Sequence, residues 1–96
     1  MVQIRCKQVS FNSKMDEEAF FAWAAKIDAI TNIKGVGDEI LFAIESTQID
    51  ENSLYELIGL LTRYSVDLKQ LAQFKNVENA DWFYNKQKYW FKAVFG

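Results

Sequence analysis

The sequence predicts one α+β domain spanning residues 1–96, in which a small three-stranded mixed or antiparallel sheet is followed by a helical C-terminal half. Apolar and polar residues alternate over residues 2–9, which is the period of a half-buried strand. Apolar residues recur at helical spacing over residues 15–27, and again after Ser46. The predicted order of elements is therefore β-α-β-β-α-α-α. Ninety-six residues are enough for one hydrophobic core and too few for two.

The first strand and the first helix have the clearest patterns. Val2, Ile4 and Cys6 lie on one side of the strand, and the polar residues between them lie on the other. Ser13 is the predicted N-cap of the helix, and Asp16 stands three residues later, as in a capping box. The residues that form the apolar stripe of this helix are Phe20, Trp23, Ala24 and Ile27.

The next two strands form a predicted β-hairpin. Residues 29–34 make the weaker strand, because strict alternation puts Ile30 and Ile33 on opposite faces. Residues 35–38, with two glycines and an aspartate, supply the turn. Residues 39–45 are apolar on both faces, which is typical of a central strand. We therefore expect the third strand to lie between the first two, with the first helix on one face of the sheet.

Three helices are predicted after the hairpin. The first combines an N-cap with helical spacing of apolar residues: Asp50, Leu54, Leu57, Ile58 and Leu61. Ser65 or Asp67 begins a short second helix. The last helix begins at Asn76 or Asn79 and is predicted to run to about Phe95.

The composition disfavours catalysis. The sequence has no histidine, the side chain most used for acid–base work near neutral pH and the most frequent metal ligand. The single cysteine, Cys6, excludes a Cys/His zinc site within one chain, and its inward-facing position predicts an inert core thiol. The acidic groups at residues 16–18 and 50–51 are explained by two helix starts. We therefore expect a non-enzyme with no cofactor and no bound metal.

The hydropathy pattern predicts a protein without membrane contact. No apolar run reaches the length of about 18 residues that indicates a membrane span. The first residues lack the apolar stretch of a signal peptide. A cytoplasmic location is the expectation that follows.

Charge is distributed unevenly along the chain, although the net charge is only −2. Residues 16–51 carry nine acidic groups against two lysines, a balance of −7, whereas residues 52–96 carry six basic and four acidic groups. An acidic surface steers basic partners by long-range attraction. Nucleic acid is not expected as a partner, because phosphate attraction normally requires a basic face and the chain has a pI near 5.0.

Aromatic side chains are concentrated in residues 81–96, which hold seven of the fifteen in the chain and two of its three tryptophans. On one continuous helix, these rings cover well over half of the circumference, more than one amphipathic stripe requires. Three explanations remain open. The helix is wedged between other elements, or it breaks near Asn85 and folds its halves onto separate parts of the core, or one set of rings is exposed for a partner.

These patterns favour a protein-binding domain, of the inhibitor or immunity type, that neutralises a basic partner. Aromatic side chains are enriched at binding hot spots, and acidic groups around them steer a basic protein. The candidate binding residues are the anchors Trp82, Tyr84, Tyr89 and Phe91 and the acidic rim Asp16, Glu17, Asp38 and Glu39.

Two other classes of function remain as alternatives. One is a homodimer whose subunits bury the aromatic C-terminal helix against each other. The other is a small enzyme that uses carboxylates or lysine, which predicts a cleft with at least two ionisable groups of strongly shifted pKa.

Overall fold

The computed structural model describes residues 2–96 and has the predicted α+β architecture. A short 3₁₀ helix takes the place of the second predicted C-terminal helix. In chain order the elements are β1 (Val2–Lys7), α1 (Lys14–Ala25), β2 (Ile30–Val36), β3 (Glu39–Ile44), α2 (Glu51–Arg63), the 3₁₀ helix (Leu68–Phe74), α3 (Ala80–Phe83) and α4 (Phe91–Phe95). None of the helices in this part of the chain is long and apolar enough to cross a membrane.

The three strands form one antiparallel sheet in the order β1-β3-β2. The central position of β3, predicted from its two apolar faces, is confirmed. Its residues pair with β1 from Val2 opposite Ile44 to Lys7 opposite Glu39. Because β1 and β2 both run antiparallel to β3, they are parallel to each other, and α1 provides the crossover between them.

A β-bulge in β2 corrects one detail of the sequence prediction. Ile30 pairs with Ile44 and Ile33 pairs with Phe42, so Thr31 is the extra residue in the strand. The extra residue turns Ile30 and Ile33 toward the same face, where both pack against the core. The prediction that they lie on opposite faces is therefore wrong, because strict alternation does not hold across a bulge. Thr31 Oγ1 donates a hydrogen bond of 3.1 Å to the Ala43 carbonyl, which ties the bulge to β3.

The hydrophobic core lies between one face of the sheet and the helices. Alternate residues of β1 and β3 supply the sheet side of this core, and α1, α2 and the 3₁₀ helix supply the other side. The largest fully buried side chains are Phe20, Phe42, Phe74, Phe83, Ile4, Ile44, Leu54, Leu57, Ile58, Leu60, Leu61 and Leu71. Burial of each such side chain contributes about 1.5–3 kcal/mol to the free energy of folding. The opposite face of the sheet is more open, and Leu41 and Ala43 at its centre are only half-buried.

Hydrogen bonds from side chains set the helix boundaries. Ser13 Oγ accepts from the Asp16 amide at the start of α1, as predicted. Asp50 accepts from the Ser53 amide at the start of α2, also as predicted. Asp67 accepts from the amide of Lys69 and so begins the 3₁₀ helix.

The aromatic C-terminal segment is not one helix. The predicted helix reaching Phe95 is wrong, since α3 ends at Phe83 and α4 starts only at Phe91. The residues between them form turns in which Asn85 Oδ1 accepts from the Gln87 amide at 2.9 Å. Trp90 folds back so that its indole Nε1 donates to the Phe83 carbonyl at 2.9 Å. The chain breaks near Asn85, as the second explanation requires, but its two halves pack on each other rather than on separate parts of the core, since the ring centroids of Phe83 and Phe95 are 5.0 Å apart.

Candidate functional site

The largest exposed aromatic side chains lie on the last sixteen residues. Tyr89 stands on the turn between α3 and α4 with 68% of its surface exposed, and Tyr84 follows α3 with 44% exposed. Phe91, at the start of α4, is half-buried. The Trp90 bond to the Phe83 carbonyl anchors the turn that carries Tyr89, so this ring is presented by a fixed backbone.

The rings of this segment support one another. The centroid of Tyr84 lies 5.1 Å from that of Phe91 and 4.8 Å from that of Phe95, both in edge-to-face geometry. Phe95 in turn packs edge-to-face on the buried Phe83 at 5.0 Å. Exposed rings are thereby held against buried ones, and little side-chain entropy is lost when a partner covers them.

Lysine side chains surround these rings. The Lys75 Nζ lies 4.0 Å above the centroid of Tyr84, within cation–π distance. Beside it, a shallow depression of about 410 Å³ is lined by Lys86, Lys88, Tyr89, Phe91, Lys92 and Gly96, with no acidic side chain. We call Lys75, Tyr84 and the residues around this depression the lysine–aromatic face.

Trp82 belongs to a different surface. Its ring is half-buried and stacks on Tyr55 of α2, with centroids 4.2 Å apart and an interplanar angle of 8°. It also meets Trp90 edge-to-face at 6.1 Å. The structure thus separates Trp82 from Tyr84 and Phe91, although all were predicted as anchors.

An acidic groove of about 360 Å³ runs beside Trp82. Its lining is Ile49, Asp50, Glu51, Asn76, Glu78, Asn79, Asp81 and Trp82, with four acidic and no basic side chains. We call this surface the acidic groove. The start of α2 brings Asp50 and Glu51, the turn before α3 brings Glu78, and α3 itself brings Asp81.

Two asparagines fix the turn that carries Glu78 and leads into α3, where Asp81 lies. Asn76 Oδ1 accepts from the amides of Glu78 and Asn79, each at 2.9 Å. Asn79 is buried, and its Nδ2 donates to the Phe74 carbonyl at 2.9 Å. This cluster of four carboxylates was not predicted from the sequence, because Glu78 and Asp81 come together with Asp50 and Glu51 only through the fold. Their i, i+3 spacing immediately before Trp82 was the local signal.

The predicted acidic rim lies elsewhere. Asp16 accepts a hydrogen bond from Tyr64 at the C-terminal end of α2, whereas Trp82 stacks on Tyr55 near its N-terminal end and lines a groove with Asp50. The 13 residues of α2 make a helix about 20 Å long. The rim around Asp16 and the anchor Trp82 are therefore at opposite ends of α2.

Hydrogen bonds inside the molecule occupy the Asp16 carboxylate. Oδ2 accepts from the Asn12 amide at 2.9 Å, and Oδ1 accepts from the Tyr64 hydroxyl at 3.0 Å. The Asn12 bond is the main cause that lowers the pKa of Asp16, with smaller contributions from Tyr64 and the positive charge of Arg63, against partial desolvation. Desolvation and the bond to Asp16 raise the pKa of Tyr64. Asp16 thus remains ionised and Tyr64 remains protonated around neutral pH.

The other predicted rim residues lie near the β2–β3 turn and the first turn of α1. Glu39 forms an ion pair with Arg5, Nε to Oε1 2.9 Å, and it is the one ion pair within residues 2–96. Asp38 is exposed at the turn, and its carbonyl accepts from the Gln8 amide at 3.2 Å. Glu17 is exposed on α1.

The groups with shifted pKa values do not assemble a site for acid–base chemistry. Burial raises the pKa of the Cys6 thiol to about 12, which keeps it protonated. Asp16 and Tyr64 share a surface depression with Arg63, but their pKa values move away from neutrality rather than toward it. Within residues 2–96, no three acidic or cysteine side chains are placed to hold a metal ion.

Comparison with known proteins found no matching family model, no similar curated protein and no similar solved structure. The class of this molecule is therefore described by its fold and by its surfaces. It is a small α+β domain whose surface has a groove lined by four carboxylates and a depression lined by three lysines.

Proposed function

We propose that this protein is a non-catalytic protein-binding domain, and that the lysine–aromatic face is its main contact surface. The observation that carries the proposal is the exposure of Tyr84 and Tyr89 near a depression that is lined by three lysines and by no acidic side chain. Exposed aromatic rings held on a fixed backbone are typical of binding hot spots.

The charge of this face favours an acidic partner. Lys86, Lys88 and Lys92 line the same depression as the aromatic rings, so a partner segment that covers the rings also meets three ammonium groups. Carboxylates on the partner would pair with these groups, while an apolar side chain between them covers Tyr89 and Phe91. The partner we propose is therefore a protein segment with acidic residues around an apolar one.

A basic partner is a second candidate, favoured by the acidic groove. Trp82 lines this groove together with four carboxylates, and the carboxylates suit lysine or arginine side chains of a partner. The inhibitor or immunity-type role predicted from the sequence belongs to this candidate. It would use Asp50, Glu51, Glu78 and Asp81 rather than the rim around Asp16.

Titration of the isotope-labelled protein with a synthetic peptide tests the proposal. The probe is a short glutamate-rich peptide with one central leucine, compared with the same peptide carrying lysine in place of glutamate. We expect the glutamate peptide to shift amide resonances of residues 84–92 and the lysine peptide to leave them unchanged. A glutamate peptide that shifts no resonance of this face, or shifts resonances elsewhere, would rule out the proposed surface.

Matched variants sharpen this test. Tyr89→Ala is expected to weaken peptide binding about tenfold or more, as loss of a hot-spot ring does. Met15→Ala is the control, because Met15 is also an exposed apolar residue (79%) but lies on α1. Equal binding by the two variants would contradict the role of Tyr89.

A single-stranded oligonucleotide is the competing ligand, since lysines interleaved with aromatic rings also bind nucleic acid. We favour a protein segment because the chain as a whole is acidic, with a pI near 5.0 and a net charge of −2, and this charge repels an extended polyanion more than a short segment. Oligonucleotide binding tighter than peptide binding at the same salt concentration would replace the proposal with a nucleic-acid function.

A further inference from the structure

We propose that the acidic partner of the lysine–aromatic face is the acidic groove of a second copy of this chain, so that copies associate head to tail. This inference rests on the proposed function, because it names the partner of the same face. Charge complementarity between two surfaces of one molecule favours a second copy as the partner.

The two surfaces match in charge and in chemistry. The acidic groove is lined by Asp50, Glu51, Glu78 and Asp81 with no basic side chain, and the depression of the lysine–aromatic face is lined by three lysines with no acidic side chain. The single ion pair within residues 2–96 joins Arg5 to Glu39, so none of the groove carboxylates or depression lysines is held in an ion pair, although Asp50 also caps α2. Each surface also has aromatic rings, Trp82 in the groove and Tyr89 on the face, that an association would cover.

The geometry of α3 favours a head-to-tail arrangement over a two-fold dimer. Successive residues of a helix are about 100° apart. Phe83 is buried, so Trp82 before it and Tyr84 after it point to opposite flanks of α3. The acidic groove on the Trp82 flank and the lysine–aromatic face on the Tyr84 flank therefore meet two different neighbours. Such a heterologous contact extends into longer assemblies unless it closes into a ring.

The small net charge of the chain permits this association. A balance of −2 produces little overall repulsion between copies, while each surface keeps a strong local charge. Charge pairs at a surface are screened once the Debye length falls to about 10 Å or below, near 0.1 M salt. Self-association should accordingly be strongest at low salt and weaken by about tenfold or more at high salt.

Sedimentation velocity of the full chain tests the inference with two charge-reversal variants. The face variant is Lys86→Glu with Lys88→Glu, and the groove variant is Glu78→Lys with Asp81→Lys. Lys26→Glu with Lys34→Glu, at exposed positions just after α1 and on β2, matches the net-charge change of the face variant. Circular dichroism establishes that each variant is folded. We expect the wild-type protein and the control to self-associate, and each of the two surface variants to be monomeric.

Mixing the two surface variants gives the most specific result. The face variant would keep an acidic groove of native charge. The groove variant would keep a lysine–aromatic face of native charge. An equimolar mixture should therefore associate, because the native groove of the face variant pairs with the native face of the groove variant, even though each variant alone is monomeric. An interface that uses neither surface does not predict that two monomeric variants regain association on mixing.

Three results would overturn the inference. One is a wild-type protein that stays monomeric up to about 1 mM at low salt. Another is self-association that both surface variants retain, which places the interface elsewhere. The third is a mixture in which the two monomeric variants do not combine. The peptide titration remains informative in each case, because an acidic peptide that binds the face while the protein stays monomeric supports the proposed function and rejects only the second copy as partner.

Discussion

Gln70 shows how one side chain protects the fold. Its Oε1 accepts from the Arg5 amide at 2.6 Å, and its Nε2 donates to the Arg5 carbonyl at 2.9 Å. The amide group thus takes the place of a neighbouring strand on the outer edge of β1. Unpaired strand edges are templates for aggregation, and a covered edge avoids this hazard.

Replacement of this side chain should destabilise the protein. Gln70→Ala removes both bonds to Arg5 and returns its backbone groups to water, so we expect the free energy of unfolding to fall by about 0.5–1.5 kcal/mol. Urea unfolding measures this change. Gln3→Ala, at an exposed position on the same strand, is the control and should be near neutral. Equal stability of the two variants would show that the Gln70 bonds contribute nothing.

The Asp16–Tyr64 pair makes stability depend on pH at both extremes. The pKa of Asp16 is lowered from 3.8 in the folded state, so its contribution is fully present above pH 3.8 and is lost as the pH falls through the lowered value. The pKa of Tyr64 is raised from 10.0, so its contribution is present below pH 10.0 and is lost as the pH rises through the raised value.

Two variants separate these contributions. Asp16→Asn should lower the melting temperature at pH 7 and make it less sensitive to acid below pH 3.8 than in the wild-type protein. Tyr64→Phe should lower the melting temperature at pH 7 and remove part of the decline above pH 10. Melting curves across the pH range that run parallel for all three proteins would contradict the coupling.

At the scale of elements, the β2–β3 hairpin depends on one glycine. Gly37 adopts a φ of +62°, in the left-handed region, at the first of the two central turn positions, where type II′ turns place glycine. Gly35 lies two residues earlier, with ordinary φ and open space around its Cα. The two glycines therefore have the same free volume but different backbone constraints.

This difference makes a matched pair of substitutions. Gly37→Ala should lower the free energy of unfolding by about 1 kcal/mol or more, because a side chain disfavours positive φ. Gly35→Ala should leave stability unchanged or slightly increased, since its backbone suits any residue. Chemical denaturation measures both, and a Gly37→Ala variant as stable as Gly35→Ala would mean that the turn relaxes without cost.

Local patterns predicted the elements well, and long-range packing decided the rest. Alternation, caps and helical spacing located β1, α1 and α2 to within about two residues. The Thr31 bulge was not predictable, because it depends on pairing with β3. The sequence does not decide among three explanations for the aromatic excess of residues 81–96. The bond from Trp90 to the Phe83 carbonyl, which fixes the break in this segment, is formed only after the chain folds back.

Some residues of the candidate site could be predicted from the sequence, and others could not. The exposed rings of Tyr84 and Tyr89 lie among the predicted anchors, because the aromatic excess of residues 81–96 was visible in composition. The acidic groove was not predicted, because its four carboxylates come from two segments that only tertiary structure brings together. The partner-binding roles of Asp16, Glu17, Asp38 and Glu39 stay predictions.

For the whole molecule, the arrangement of charge is more informative than its total. The net charge of −2 conceals a groove lined by four carboxylates and a depression lined by three lysines. Opposite charge on these two surfaces is the common basis of the proposed protein-binding function and the proposed head-to-tail association.

A charge swap within one chain tests this account most directly. The swapped chain carries Lys86→Glu and Lys88→Glu together with Glu78→Lys and Asp81→Lys, which reverses two charges on each surface and leaves the net charge unchanged. Sedimentation equilibrium at low salt should show that each pair of substitutions alone abolishes self-association and that the swapped chain restores it in part. A folded swapped chain that stays monomeric, while the wild-type protein associates, would contradict the pairing of these two surfaces.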